Sequence, residues 1–186
     1  IYLEGCLSVT DEGIITLTEG IQNIFQIESL NLNVSRCEYI TDIGFHTIHQ
    51  AFKSLKSLKH LSLDYSYCFS LSSGSFIRLE EIFSCLESLE TLKLNLSNSA
   101  IDNFGLLSLG SSLQALKSLF SVCLNFEFCT EITDRGFAEL FGRIAMSNLR
   151  LIQLKLFYTK ISENSLQILK KNMNKYETLD IHLSIK

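Results

Sequence analysis

The sequence predicts an α/β solenoid in which short parallel strands, one per repeat, each lead into a helix. Three observations predict it. Leu30, Leu32 and Val34 alternate with polar residues, the period of a strand with one face buried, and Cys37 follows three residues on. The same pattern returns thirty-one residues later as Leu61-x-Leu63-x-Tyr65-x-x-Cys68, and thirty-one later again as Leu92-x-Leu94-x-Leu96-x-x-Ser99; Val122-x-Leu124-x-Phe126-x-x-Cys129 continues the series. Between strands, apolar residues recur at three and four, the spacing of one helix stripe. A period in this range marks stacked repeat units, about six of them over residues 1–186, here read as one domain belonging to a longer chain.

The elements follow in order. The first unit starts in a strand at Ile1-Tyr2-Leu3, turns through Cys6 and opens a helix at Thr10-Asp11-Glu12, where a Thr cap can accept an orphan backbone N–H. Ile14, Leu17, Ile21 and Ile24 form its stripe. The second unit opens its helix at Thr41-Asp42 and continues through Phe45, Ile48, Phe52, Leu55 and Leu58. In the third, Leu71-Ser72-Ser73 leads to Phe76, Leu79, Phe83, Leu86 and Leu89; its Gly74 sits one place early, which predicts an altered turn. The fourth runs from Ile101-Asp102 through Leu106, Leu109, Leu113, Leu116 and Leu119. The fifth repeats the second almost residue for residue, Ile132-Thr133-Asp134-Arg135-Gly136-Phe137, then Leu140 and Ile144. The sixth is read with Leu154, Leu156 and Tyr158 inward, Ile161-Ser162-Glu163 at the turn, and Leu166, Leu169, Met173 and Tyr176 on its helix. Leu179, Ile181 and Leu183 close a seventh strand.

A common strand–turn–helix order makes the strands parallel. Helices are about 10 Å across and strands pair at roughly 4.8 Å, so stacking both bends the array, with helices on the convex side and the sheet on the concave side. Apolar strands at both ends predict that further repeats or neighbouring chains cover them.

Composition narrows the function. Apolar residues make up 46% of the chain, enough for a continuous core, and no apolar run reaches the length of a membrane span. A net charge of −4, with the lysines scattered, carries no basic footprint for nucleic acid. Cys6, Cys37, Cys68 and Cys129 fall at one repeat position, which Ser99 takes in the unit between. A residue that Ser can replace in a stack reads as a small buried packing unit, so reduced thiols and an intracellular, cytoplasmic location are expected. No Cys/His set has the spacing of a metal site, and no cofactor is expected.

Leu58-x-x-Leu61-x-Leu63 and Leu89-x-x-Leu92-x-Leu94 resemble the leucine-rich repeat superfamily, over essentially the whole chain. Cys37-x-x-Ile40-Thr41-Asp42-x-Gly44-Phe45 and its copy at Cys129 to Phe137 resemble the cysteine-containing repeats of F-box substrate receptors. The period and the long helices resemble ribonuclease-inhibitor-like repeats. The resemblance implies a horseshoe and a protein-binding function.

A catalytic site needs an acid/base pair or activated nucleophile within hydrogen-bond reach. His46 and His49 fall on the second helix, His60 and His182 on strands far apart, and all four read as surface or edge residues. The chain is therefore expected to be no enzyme. What remains is the concave surface. One column is read as Tyr2, Asn33, Asp64, Asn95, Asn125, Phe157 and His182; the one before it as Asn31, Ser62, Lys93, Cys123, Lys155 and Asp180; the one beyond as Glu4, Ser35, Ser66, Ser97, Glu127, Thr159 and Ser184. The Asn/Asp run is either a structural amide ladder or a polar recognition strip. Tyr2, Asn33, Asp64, Lys93, Asn95, Asn125, Lys155, Phe157 and His182 are the candidate partner-binding residues of a protein–protein interaction scaffold. The alternatives are the substrate-receptor repeats of an SCF-type ubiquitin ligase, or a structural subunit of a large assembly.

Overall fold

In the computed structural model, residues 1–77, 79–145, 147–172 and 178–182 are described. Strand and helix alternate along them: α1 (Asp11–Gln22), β1 (Ser29–Asn33), α2 (Asp42–Ala51), β2 (His60–Asp64), α3 (Leu79–Phe83), β3 (Thr91–Asn95), α4 (Asn103–Ala115), β4 (Ser121–Asn125), α5 (Asp134–Ile144), β5 (Leu151–Lys155), α6 (Glu163–Asn172) and β6 (Thr178–His182). The six strands form one sheet in chain order, all parallel. Leu30, Leu61, Leu92, Val122, Ile152 and Leu179 stand side by side along it. Alternate strand residues face the helices: Leu32, Leu63, Leu94, Leu124 and Leu154 are all buried, and Val34, Tyr65, Leu96, Phe126 and Leu156 extend this wall one step past the strands. Each such side chain contributes about 1.5–3 kcal/mol by leaving water.

The first four N–H groups of a helix have no partner within it. Here the preceding unit supplies one at Gly44 and Gly136, and in each of the five rungs it also meets the N–H of the cap residue before the helix. Asp11 Oδ1 accepts from the Thr41 N–H at 2.9 Å and the Gly44 N–H at 3.0 Å, while Thr41 Oγ1 donates to Asp11 Oδ2 at 2.6 Å. Asp42 receives the Ser72 N–H at 2.8 Å and the Ser72 hydroxyl at 2.6 Å. Asn103 Oδ1 receives the Thr133 N–H at 2.9 Å and the Gly136 N–H at 3.1 Å. Asp134 receives the Ser162 N–H at 2.7 Å. The remaining rung is reversed: Ser73 Oγ accepts from the Asp102 N–H at 2.9 Å, and Asp102 itself caps Phe104 and Gly105. Every rung joins a carboxylate or amide to at least one hydroxyl.

These rungs explain the glycine of Thr-Asp-x-Gly. A Cβ on Gly44 would stand 2.3 Å from Asp11 Oδ1, and one on Gly136 would stand 2.4 Å from Asn103 Oδ1 and 2.6 Å from Asn103 Cα. The third unit carries Ser75 at that place. Its hydroxyl donates to Asp42 Oδ1, and the chain winds as a 3-10 turn over Ser73–Phe76 before the short α3, the alteration that Gly74 predicts.

Several expectations need correction. The segment Ile1-Tyr2-Leu3 makes a single bridge, Tyr2 to Asn33, so the described residues hold six strands rather than seven. Thr10 precedes α1 but makes no side-chain cap bond. Ile24 is exposed and Leu17 only half-buried, because among the described residues α1 has a neighbouring helix on one side alone. The inward residues of the sixth unit are Ile152, Leu154 and Leu156; Tyr158 is an exposed turn residue. The alternation Leu154, Leu156, Tyr158 keeps the right face but slips by two, since the turn to Ile161 is short. Met173, Tyr176, Leu183 and Ser184 lie outside the described residues, as do the side chains of Leu169, Leu179 and Ile181.

The cysteine position behaves as a donor as well as a filler. Cys37, Cys68 and Cys129 are buried, and their thiols donate to the carbonyls of Leu3, Val34 and Leu96 in the preceding unit at 3.0, 3.2 and 3.1 Å. Burial pushes the Cys68 thiol up to about 12. Cys6 departs from the expectation of burial: among the described residues no turn stacks before it, and it is exposed. All six cysteines are free thiols.

Gly136→Ala should lose about 1–3 kcal/mol in urea unfolding, because the Asn103 backbone stands in the way of the new methyl group. Gly142→Ala, in the same helix but with open space around it, should gain about 0.5–1 kcal/mol. Equal effects at the two sites would contradict the steric account.

Candidate functional site

The helices and the inward strand residues share one core, which leaves the other face of the sheet without a covering element among the described residues. Parallel sheets are ordinarily covered on both faces. The strand register assigns the columns of this free face. The first is Asn31, Ser62, Lys93, Cys123, Gln153 and Asp180; the second is Asn33, Asp64, Asn95, Asn125, Lys155 and His182. Turn hydrogen bonds extend it by a third, Ser35, Ser66, Ser97, Glu127 and Phe157.

Of the expected site residues, Asn33, Asp64, Asn95, Asn125 and His182 share the second column as read, and the Tyr2 bridge to Asn33 places Tyr2 at its end. Lys93 lies in the first column as read. Lys155 and Phe157 do not lie where expected. Lys155 belongs to the second column beside Asn125, Gln153 takes its place in the first, and Phe157 moves to the third beside Glu127. Both errors follow from the two-residue slip in the sixth unit.

The Asn/Asp column has a local role. Asn33, Asp64, Asn95 and Asn125 each turn an oxygen onto the backbone N–H two residues on, at 2.9, 2.9, 3.1 and 2.9 Å. Asp and Asn favour such turns because the side-chain oxygen mimics a backbone carbonyl. They end the strands. Only Asn95, donating to Asp64 Oδ2 at 3.0 Å, makes a rung between strands. In the first column, Cys123 donates to Gln153 Oε1 at 3.2 Å and Gln153 donates to Asp180 Oδ2 at 3.1 Å. Burial raises the Cys123 thiol, against the pull of the neighbouring Lys155 and Lys93. A shallow hollow of about 520 Å³ opens there, lined by Lys93, Cys123, Gln153 and Asp180 among others.

The sequence reading missed the turn row beyond the third column. Gly5, Arg36, Tyr67, Asn98, Phe128 and Tyr158 all hold φ between 54° and 66°. The signal was present in Gly5 and Asn98, two residue types that accept this conformation, each one place before the cysteine position. Arg36 lies over the Tyr67 ring at 4.2 Å, and Phe128 stacks on Tyr158 with centroids 4.5 Å apart.

His46, His49 and His60 do not converge. His60 Nδ1 meets Thr91 Oγ1 at 3.0 Å on the free face, and His46 pairs with Gln50 on α2. His49 overturns the surface expectation: it is 1% exposed, packed among Phe45, Phe52, Tyr65 and Phe83. Its Nδ1–H donates to the Phe45 carbonyl at 2.7 Å. No group of three or more metal-ligating side chains forms among the described residues, and no helix among them is long and apolar enough to cross a membrane.

Burial lowers the His49 pKa to about 4, with the Phe45 hydrogen bond opposing and His46 adding to the shift. The unfolded chain takes up this proton below about 6.5, whereas the folded chain does so only near 4. Stability is complete above that window and is lost as pH falls through it. Urea unfolding at pH 5 should show about 2 kcal/mol less stability than at pH 7.5. His49→Leu should flatten this difference, and an unchanged slope would place the proton elsewhere.

No protein-family model matches the chain, and no curated protein matches it. Among solved structures, a chain in the crystal structure of the Rad7 and Elc1 complex in yeast is similar, with a TM-score of 0.56 and 22% sequence identity. The match covers 96% of this chain and 42% of that one, so the chain spans less than half the length of its neighbour.

Proposed function

We propose that the protein is a non-catalytic, leucine-rich-repeat interaction module that holds a partner protein against the free face of its sheet, the concave face of a horseshoe. The observation that carries this reading is the uncovered parallel sheet, whose polar columns stand in register across six strands. Such a surface is on the order of 24 Å wide at strand spacing. It presents charged, amide and thiol groups over a firm core, and binding strength comes from area contributed by several units together. Phe157 and Tyr2 are the aromatic anchors, with Lys93 and Lys155 as the cationic ones. The likeness to a chain from a two-protein complex supports the reading, as does the regular spacing of the units. An intracellular location accompanies it. A second reading, as substrate-receptor repeats of an SCF-type ubiquitin ligase, is favoured by the paired motifs Cys37 to Phe45 and Cys129 to Phe137.

Because Asn33, Asp64, Asn95 and Asn125 end their own strands, replacing them disturbs the fold as well as the surface, and they are poor probes. A photo-crosslinking residue at Ser62 or Lys93, set against one at the exposed Glu139 on α5, separates the two faces. In the native cell extract the free-face positions should give discrete covalent adducts that Phe157→Ala weakens, by about 2 kcal/mol in affinity once the partner is isolated. Adducts from Glu139 alone would move the contact to the helices and overturn the proposal.

A further inference from the structure

The turn row shows a conflict between residue type and backbone. In successive units the N–H of this residue donates to the next unit: Gly5 to Ser35 O at 2.9 Å, Arg36 to Ser66 O at 2.9 Å, Tyr67 to Ser97 O at 2.9 Å, Asn98 to Glu127 O at 2.8 Å and Phe128 to Phe157 O at 2.8 Å. The left-handed conformation is thus required by the stack. Gly and Asn adopt it readily, whereas bulky side chains are strained there. Tyr67, Phe128 and Tyr158 nonetheless hold φ of 59°, 61° and 58°. Phe128 and Tyr158 are moreover 45% exposed, so their rings bring little to the core in return. Backbone strain and apolar exposure coincide at one register, which points to a use outside the fold.

The surroundings indicate what that use is. Glu127 precedes Phe128 and stands beside Phe157 in the third column. Its Oε2 accepts from Asn125 Nδ2 at 3.2 Å, and it meets no cation among the described residues. At the same register, three units earlier, the molecule already seats a guanidinium on a ring, Arg36 over Tyr67. An aromatic stack with a carboxylate on the adjoining residue of the chain suits a planar, weakly hydrated cation.

We propose that Phe128, Tyr158 and Glu127 form a docking point for an arginine side chain carried on an extended segment of a partner protein, with the guanidinium on the ring stack and Glu127 as its counter-charge. This rests on the protein-binding reading above, but the site lies on the rim and is tested without the partner. The probe is the peptide acetyl-Gly-Ser-Gly-Arg-Gly-Ser-Gly-amide, titrated into the protein while the ring resonances of Phe128 and Tyr158 are followed by NMR. Both rings should shift with saturation. The citrulline version of the peptide, neutral but nearly isosteric, should bind about fivefold more weakly or worse. Glu127→Gln should weaken the arginine peptide by about threefold or more, and added salt should do the same. Phe128→Asn should remove the response yet keep the fold, since Asn98 holds the same backbone conformation. Equal shifts with arginine and citrulline, no shift at all, or indifference to Glu127→Gln would each overturn the site. Free-face crosslinks at Ser62 or Lys93 that persist in Phe128→Asn while the peptide response is lost would confine the site to the rim; loss of those crosslinks with the peptide response intact would fault the free-face reading alone.

Discussion

The start of each helix depends on the unit before it, and the rest of the structure follows from that dependence. A helix of ten or so residues leaves its first N–H groups unpaired, and here those groups lie inside a stack, away from full hydration. An oxygen of the first helical residue in the preceding unit accepts the N–H of the cap residue, and at Gly44 and Gly136 a first-turn N–H as well, so each unit's own cap is completed by its neighbour. This makes the identity of neighbouring units complementary. Where the donor unit offers Asp or Asn, the next offers Thr or Ser; where it offers Ser73, the next offers Asp102. The carboxylates of Asp42, Asp102 and Asp134 are held below their ordinary range, because these hydrogen bonds outweigh the opposing effect of burial.

The helix rungs have counterparts at the other end of the turn. Thiols at the cysteine position bond the preceding unit's carbonyls, and the left-handed residue before it bonds the following unit. The turn between strand and helix is therefore tied in both directions. Strand register is fixed as a result, and with it the columns of the free face. The Asn and Asp side chains that end the strands belong to the same device, which is why a column that resembles a recognition strip serves the backbone first. In the proposed reading, recognition falls to side chains outside this device, among them Lys93, Lys155 and Phe157.

Much of this was legible in sequence where the period was strict. From Leu30 to Cys129 the alternation, the helix stripes and the cap positions follow directly from the repeated spacing, and every inward residue from the second to the fourth unit is buried. Legibility failed where spacing changed. The fifth and sixth units shorten, apolar alternation alone admits a slip by two, and Phe157 and Lys155 were set in the wrong columns. It failed also where one letter has two roles. His49 looks like a polar helix residue, yet burial among aromatic rings keeps it neutral. The rim could be seen only once backbone angles placed Tyr67, Phe128 and Tyr158 beside Gly5 and Asn98.

The claim that neighbouring units complete each other's helix starts is tested most directly by a double-mutant cycle at Asn103 and Thr133, the rung in which one side chain meets a hydroxyl and two backbone N–H groups. Stability would be measured by urea unfolding for Asn103→Ala, Thr133→Ala and the pair. The account predicts a coupling of about 1 kcal/mol or more, since either change alone leaves a partner unsatisfied. Additivity within about 0.3 kcal/mol would contradict it.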